Sequence, residues 1–252
     1  MNKIRFYAPI IIISWIAYVV PIASNQSQNA RPISSPSFHN WRLGFGLGLE
    51  YLALDATLKI QPPPRTNMDA RLSHTGKHFQ IAPTIEFGKN ITNNYYLGLL
   101  LSWRYSGSKN NTRSTIADST YFNHQITLNN YGNFLLKGGY NLNSCTMVYV
   151  LIGPTFTNWS HTSTQTRSSR TQNRIDLKRN SIGLGIGLGF EHLFKPNYAI
   201  SIDYTHYIQS GASKNRVISY TYQGVAMNDD VNKKVDLSFS TIAVRFTTFF
   251  SL

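Results

Sequence analysis

A strict alternation of large apolar residues with small or polar ones constrains the fold of this chain more than any other feature. In residues 41–51 every odd position is large and apolar, whereas the even positions carry Arg42, three glycines and Glu50. Residues 182–191 repeat the pattern, with four glycines between large apolar residues. Because successive side chains of a strand point to opposite faces, each segment predicts a strand with one apolar face.

The same alternation predicts eight strands, and the connections between them alternate in length. The strands cover residues 41–51, 79–87, 95–105, 126–140, 147–159, 182–191, 198–205 and 237–252, with a register slip inside the fourth. Three connections are short, at 89–94, 141–144 and 193–197, and four are long and polar, near 55–77, 107–124, 160–179 and 209–235. Short turns at one end and long loops at the other are typical of outer-membrane barrels. The predicted fold is therefore all-β: an eight-stranded antiparallel up-and-down transmembrane β-barrel with four extracellular loops.

The charged residues of the strand cores support this facing. Each falls on the face opposite the apolar set and so points away from lipid. On the lipid face, an Arg or Lys at the midplane would cost about 2 to 4 kcal/mol. We expect them to line the lumen as one closed, charge-balanced network of Arg42, Glu50, Glu86, Arg104, Lys137, Glu191, Asp203 and Arg245. Aromatic residues at the strand ends suit interfacial girdles: Trp41, Tyr51, Tyr95, Tyr105, Tyr140, Tyr198 and Tyr204.

The N-terminal residues predict export. Lys3 and Arg5 precede a mostly apolar, uncharged stretch at residues 6–23, which is typical of a signal peptide, although an uncleaved anchor stays open. We therefore divide the chain into residues 1–30, a signal peptide with the start of a short spacer, and 31–252, the barrel domain. No other stretch approaches eighteen consecutive apolar residues.

From residue 38 to the end, the chain resembles the small eight-stranded outer-membrane β-barrels of the OmpA/OmpX type, including the opacity and surface-antigen proteins. The glycine ladders at 43–51 and 182–191, the strand at 200–207 and the amphipathic C-terminal strand carry this resemblance. Such chains usually end in Phe, which the barrel-assembly machinery reads during insertion, whereas this one ends in Leu252. The resemblance implies a monomer in the cell outer membrane of a Gram-negative bacterium.

The function that this resemblance implies is structural, or one of surface interaction as in antigens and adhesins, without catalysis. Expected partners are outer-membrane lipid, lipopolysaccharide and a host surface molecule. The loop at 160–179 carries one acid, Asp176, and five bases that we expect to contact lipopolysaccharide phosphates: Arg167, Arg170, Arg174, Lys178 and Arg179.

An enzyme that modifies outer-leaflet lipid, such as a lipid A deacylase or palmitoyltransferase, is the alternative. His206 and Ser210, at the outer end of the seventh strand, form its best candidate dyad. A wide pore is disfavoured because about eight strands leave an interior just filled by side chains.

Other functional classes are weakly supported by the sequence. The net charge of +13 comes from bases spread over separate segments, which disfavours nucleic acid as a partner. The histidines lack metal-binding spacing, Cys145 is the single cysteine, and no motif indicates a cofactor.

Overall fold

The computed structural model describes residues 41–61, 76–92, 94–117, 120–167, 170–222 and 225–251. These residues form nine strands: β1 (Arg42–Gln61), β2 (Gly76–Asn90), β3 (Tyr95–Ala117), β4 (Thr120–Asn141), β5 (Thr146–Arg167), β6 (Arg170–Lys195), β7 (Tyr198–Gln209), β8 (Ala212–Tyr222) and β9 (Val225–Ser251). Strands β1 to β7 pair in chain order, and β9 pairs with both β7 and β1. The predicted eight-stranded antiparallel barrel is therefore confirmed. The predicted signal peptide, 1–30, lies outside the described residues, within which no helix is long and apolar enough to cross a membrane.

The two ends of the barrel differ as predicted. Tight connections at 91–94, 142–145 and 196–197 join strands at one end, where β1 begins and β9 ends. At the first of them the Ile91 amide donates to the Tyr95 carbonyl at 2.8 Å. We name this the periplasmic end and the opposite one the outer end, following the usual arrangement of such barrels.

At the outer end, three predicted loops are instead paired strands. The β3–β4 ladder continues to Ala117 and Thr120, and the β5–β6 ladder to Arg167 and Arg170, so the loops expected at 107–124 and 160–179 are wrong. An additional strand, β8, pairs, within the described part of the chain, with residues 225–235 of β9 alone, inside the loop expected at 209–235. The fourth predicted loop, 55–77, begins as strand β1, and its residues 62–75 lie outside the described residues. Alternation could not indicate these extensions, because polar side chains lie on both faces of the strands there, as at His161 and Thr162.

The facing of the barrel strands follows the predicted alternation. The large apolar side chains at odd positions 43–51 of β1 and at even positions 182–190 of β6 and 242–250 of β9 point outward, as on a lipid-facing surface. The glycines between them face the lumen and make room for large side chains there. A Cβ on Gly48 would lie 2.6 Å from Cγ of Arg245, and one on Gly189 would overlap the ring of Tyr149.

The predicted register slip in the fourth strand is a β-bulge. The β4–β5 pairing shifts between Leu128 and Asn130, so that Asn129 is the extra residue. Leu128 therefore faces the lumen, whereas Phe134, also at an even position, is exposed outside. A bulge inserts one residue into one strand and so exchanges the faces of the residues that follow it.

The outer half of the lumen contains a large apolar cluster, which the sequence did not predict. Ten buried side chains, which we name the outer lumen cluster, pack together there: Leu52, Leu54, Ile126, Leu128, Tyr131, Trp159, Tyr207, Val235, Leu237 and Phe239. Several lie outside the strands predicted from the sequence, Leu52 and Val235 among them. The predicted charged residues occupy the other half.

Candidate functional site

All eight charged residues predicted to line the lumen are buried inside it. Their hydrogen bonds and ion pairs, among the described side chains, form three groups rather than the single network expected, and Lys137 Nζ of the first group lies 4.3 Å from the ring centroid of Tyr149 in the second. Height in the barrel separates the third group from the first: Arg42 and Glu50 are eight positions apart on β1, roughly 26 Å along the strand. Side chains at such different levels cannot share one set of hydrogen bonds.

The first group lies near the periplasmic end and centres on Lys137. Its Nζ donates to Oε1 and Oε2 of Glu86 at 2.8 and 2.9 Å and to Oε2 of Glu191 at 2.6 Å. Arg42 donates to Oε1 of Glu191 at 3.3 Å, and the Tyr96 hydroxyl donates to Glu86 at 2.7 Å. Two bases and two acids make this group neutral.

An aromatic sandwich holds the guanidinium of Arg42 at this end of the lumen. Its Cζ lies 3.9 Å from the ring centroid of Phe249 and 4.8 Å from that of Tyr96. A guanidinium over aromatic faces is attracted by the ring quadrupoles. The aromatic rings thus hold Arg42 beside Glu191 and across the mouth of the lumen.

The second group joins Arg245 of β9 to Asp203 of β7, which form a direct ion pair. Arg245 also donates to the Tyr149 hydroxyl at 3.1 Å, and that hydroxyl donates to Asp203 at 3.4 Å. This group is also neutral, with one base and one acid.

The third group lies beneath the outer lumen cluster. Arg104 donates to Glu50 and to the Ser102 hydroxyl. The Tyr131 hydroxyl donates to the other oxygen of Glu50 at 2.7 Å, and Gln80 Nε2 donates to that hydroxyl at 2.5 Å. The three neutral groups fill the lumen from the periplasmic end to mid-height.

The structure pairs His206 with Ser240 of β9 rather than with Ser210. His206 and Ser240 are cross-strand partners, and His206 Nδ1 lies 2.9 Å from Ser240 Oγ. The Tyr204 hydroxyl donates to the same oxygen at 3.1 Å. Ser210 lies four positions beyond His206, about 13 Å along an extended chain, so the predicted dyad is wrong.

The five bases predicted to contact lipopolysaccharide lie on the outer parts of β5 and β6. Lys178 and Arg179 are exposed on β6. The side chains of Arg167, Arg170 and Arg174 lie outside the described ones, although all three residues belong to the paired hairpin.

Two buried histidines escaped prediction. His124 and His161 lie in the lumen beside the outer lumen cluster, with rings stacked at a centroid distance of 5.6 Å. The sequence places them in the predicted polar loops at 107–124 and 160–179. Their inward positions on β4 and β5 follow only from the extended pairing.

No protein-family model and no curated protein matches this chain. Among solved structures it is similar to the outer membrane protein OprG from Pseudomonas aeruginosa, at 12% identity and a TM-score of 0.53, over 86% of this chain and 99% of OprG. Ail of Yersinia pestis shares 9% identity at a TM-score of 0.35, over 81% of this chain and 99% of Ail. The Escherichia coli outer membrane protease OmpT shares 8% identity at 0.42, over 89% of this chain and 100% of OmpT.

The likeness to OprG agrees with the fold derived from the chain itself. A closed eight-stranded barrel with an apolar outer surface and a polar inner half is the architecture of small outer-membrane proteins. The chain is an outer-membrane β-barrel of the Gram-negative type.

Proposed function

We propose that this barrel is a surface-interaction protein that anchors long hairpins outside the cell and has no wide pore. The observation that carries the proposal is the contrast between its two parts. Among the residues that the structure describes, the lumen is filled by three neutral groups and an apolar cluster, and such packing disfavours an aqueous path. The outer hairpins, in contrast, extend well beyond the lipid-facing surface.

The β5–β6 hairpin illustrates this extension. Its last outward apolar pair is Phe156 with Ile182. Trp159 lies three positions further out, and strand pairing continues for another eight positions, or roughly 26 Å, from Trp159 to Arg167. The outward side chains of this part are polar: Asn158 donates to Asn180 at 2.6 Å, and the Thr162 hydroxyl donates to Asp176 at 2.8 Å. We propose that its bases contact lipopolysaccharide phosphates and that the tip remains available to a host molecule.

Neutralising the bases of this hairpin tests the proposal. Lys178→Gln with Arg179→Gln should lower the amount of lipopolysaccharide that co-purifies with the barrel, and adding Gln at the other three bases should lower it further. Each exposed contact contributes at most about 1 kcal/mol, so a severalfold reduction is expected at low salt. The measurement is bound lipopolysaccharide per barrel in mild detergent.

A matched control neutralises two bases at the periplasmic end, Lys89→Gln with Lys195→Gln, and should leave co-purification unchanged. If both double variants retain the wild-type amount at low salt, the phosphate contact is rejected.

A second candidate function is cleavage of acyl esters in outer-leaflet lipid. It rests on Ser240, His206 and Tyr204, whose side chains contact one another on the outward face of β7 and β9. Tyr204 pairs across the strands with Ile242, which also pairs with Tyr51 of the aromatic girdle, and Ser240 lies two positions beyond Ile242. Ser240 Oγ would attack the ester carbonyl while His206 takes its proton and later returns it to the leaving alcohol. Water would then hydrolyse the acyl-enzyme, with Tyr204 donating to the oxyanion.

Fatty-acid release from lipid vesicles by the purified barrel tests this candidate. Ser240→Ala should abolish release, whereas Ser238→Ala, on the same face of β9, should preserve it. If the wild-type barrel releases no fatty acid, the enzyme alternative is rejected and the surface-interaction proposal stands.

A further inference from the structure

The lipid-facing surface carries a groove near the periplasmic end, which we name the Gly138 groove after the residue at its floor. It runs from β3 to β6 and has a volume of about 910 Å³. Its lining includes outward side chains of these strands and two residues of the first tight turn: Tyr95, Tyr140, Val150, Leu188, Ile91 and Thr92. Since neighbouring strands lie about 4.8 Å apart, a groove that reaches from β3 to β6 is roughly 14 Å across, far wider than the gap between two adjacent side chains.

A glycine on the outward face of β4 forms the floor. Gly138 alternates with Lys137 and Gly139, which face the lumen and are buried. Among the described residues beyond its chain neighbours, a Cβ added to Gly138 would meet one atom within 4 Å, Cγ2 of Val150 at 3.7 Å. That is an ordinary van der Waals contact, so a side chain fits here and the packing of the barrel does not require glycine.

A second outward glycine on the same strand is covered by its neighbour. Gly132 is the cross-strand partner of Trp103, and a Cβ on Gly132 would overlap the indole ring. The ring thus covers the glycine backbone, as aromatic residues on a neighbouring strand can do. The cross-strand partners of Gly138 are Leu97 and Val150, and neither covers its backbone in this way. Within the described residues, the Gly138 groove therefore stays open to the membrane.

The Gly138 groove is polar at its periplasmic rim and apolar over its floor. At the rim, the Thr92 hydroxyl oxygen accepts from the amides of Asn94 at 3.3 Å and Tyr95 at 3.2 Å, which leaves the hydroxyl hydrogen to donate. The rings of Tyr95 and Tyr140 pack edge to face between rim and floor, with centroids 5.5 Å apart. Tyrosine is enriched at membrane–water interfaces, so the groove runs from the interface into the hydrocarbon.

The polarity and the position of the groove together select its occupant. A molecule with a polar head at the rim and an apolar chain along the floor satisfies both parts, whereas a purely apolar molecule would bury the rim hydroxyl without a partner. In a Gram-negative outer membrane lipopolysaccharide occupies the outer leaflet, so the amphiphile at the periplasmic end is phospholipid. A second copy fits less well, because a twofold interface sets the same patch against itself and two facing grooves enclose a void.

We propose that the Gly138 groove binds one phospholipid of the periplasmic leaflet, with an acyl chain over Gly138 and the headgroup beside Thr92. The chain gains dispersion contacts with the walls of the groove; each contact is small, but a lipid chain makes many. The Thr92 hydroxyl donates to a phosphate or ester oxygen of the headgroup. The barrel thus holds this lipid longer than the exchanging lipids around it.

Filling the groove tests this inference. Gly138→Phe places a ring in the groove, and Val244→Phe is the matched control, since it places the same ring on the outward face of β9, opposite β4 in the strand order of the barrel. Each whole barrel, delipidated in mild detergent, is titrated with palmitoyl-oleoyl-phosphatidylethanolamine, and native mass spectrometry counts the bound lipid. A diazirine on the acyl chain then maps the contact by cross-linking. Heat-modifiable migration verifies folding, and Gly138→Val, which adds a strand-favouring side chain, takes the place of Gly138→Phe if that variant does not fold.

The wild-type barrel and Val244→Phe should each bind one phospholipid, and Gly138→Phe should bind it roughly tenfold more weakly because the ring displaces the chain from many contacts. The diazirine should label β4 and β5 near Gly138 and Val150, and added lipid A should not displace the phospholipid. The inference is overturned if both variants bind like the wild type, if lipid A competes, or if Gly138→Phe leaves lipid binding unchanged but converts a dimer into a monomer, which identifies a second copy as the occupant.

Discussion

Lys137→Met is expected to produce one of the largest losses of stability of any single substitution in this barrel. Lys137 is fully buried, and its Nζ bridges Glu86 and Glu191. Methionine has a similar length but no charge, so the substitution leaves two buried carboxylates with Arg42 as the base of their group, and the group changes from neutral to −1. Breaking a buried pair in this way typically costs about 3 to 5 kcal/mol.

Urea unfolding in detergent measures this effect. Lys195→Met, which removes an exposed lysine from β6, is the matched control and should change the unfolding free energy by less than about 0.5 kcal/mol. Adding Glu86→Gln to Lys137→Met should recover part of the loss, because one stranded charge is removed. Equal midpoints for Lys137→Met and wild type would mean that the lysine ammonium is hydrated.

Arg104→Met is the second substitution with a large expected effect, again about 3 to 5 kcal/mol. It removes the guanidinium that contacts Glu50, a carboxylate with no solvent exposure. The Tyr131 hydroxyl would still donate to Glu50 but cannot neutralise its charge. The loss should therefore appear as a clear fall in the urea midpoint.

A double-mutant cycle identifies the partner. Glu50→Gln combined with Arg104→Met should be more stable than Arg104→Met alone, whereas Asp203→Asn combined with Arg104→Met should be less stable still, because it breaks the separate Arg245 pair. Arg179→Met, at an exposed arginine, is the control. An unchanged midpoint for Arg104→Met would show that its side chain does not face the lumen.

The alternation of side chains was sufficient to predict which face each residue occupies. Arg104, Lys137 and Arg245 were placed inward from parity alone, and all three are buried in the lumen. A strand has a period of two, so one exposed apolar face determines the position of every other side chain on that strand. The register slip in β4 was predictable for the same reason, because parity fails where a residue is inserted.

Which acid contacts which base could not be predicted in the same way. Glu50 and Arg104 are 54 positions apart and belong to strands that are not neighbours, as do Lys137 and Glu191. Such contacts cross the lumen and depend on the stagger of all eight strands around the barrel. The sequence therefore predicted a neutral set of charges, but not its division into three groups.

The alternation by itself determined the barrel, its facing and which charged residues point inward, because lipid on one side and a narrow lumen on the other impose opposite demands on successive residues. Only the tertiary structure decided how far the strands extend beyond the membrane, since both faces are polar there, as at Lys178 and Arg179. It also decided where the ladder between β2 and β3 ends. Pro83 can end a ladder or sit harmlessly within an edge, and the difference depends on whether the partner strand, bulged at Gly107, still lies within hydrogen-bonding distance.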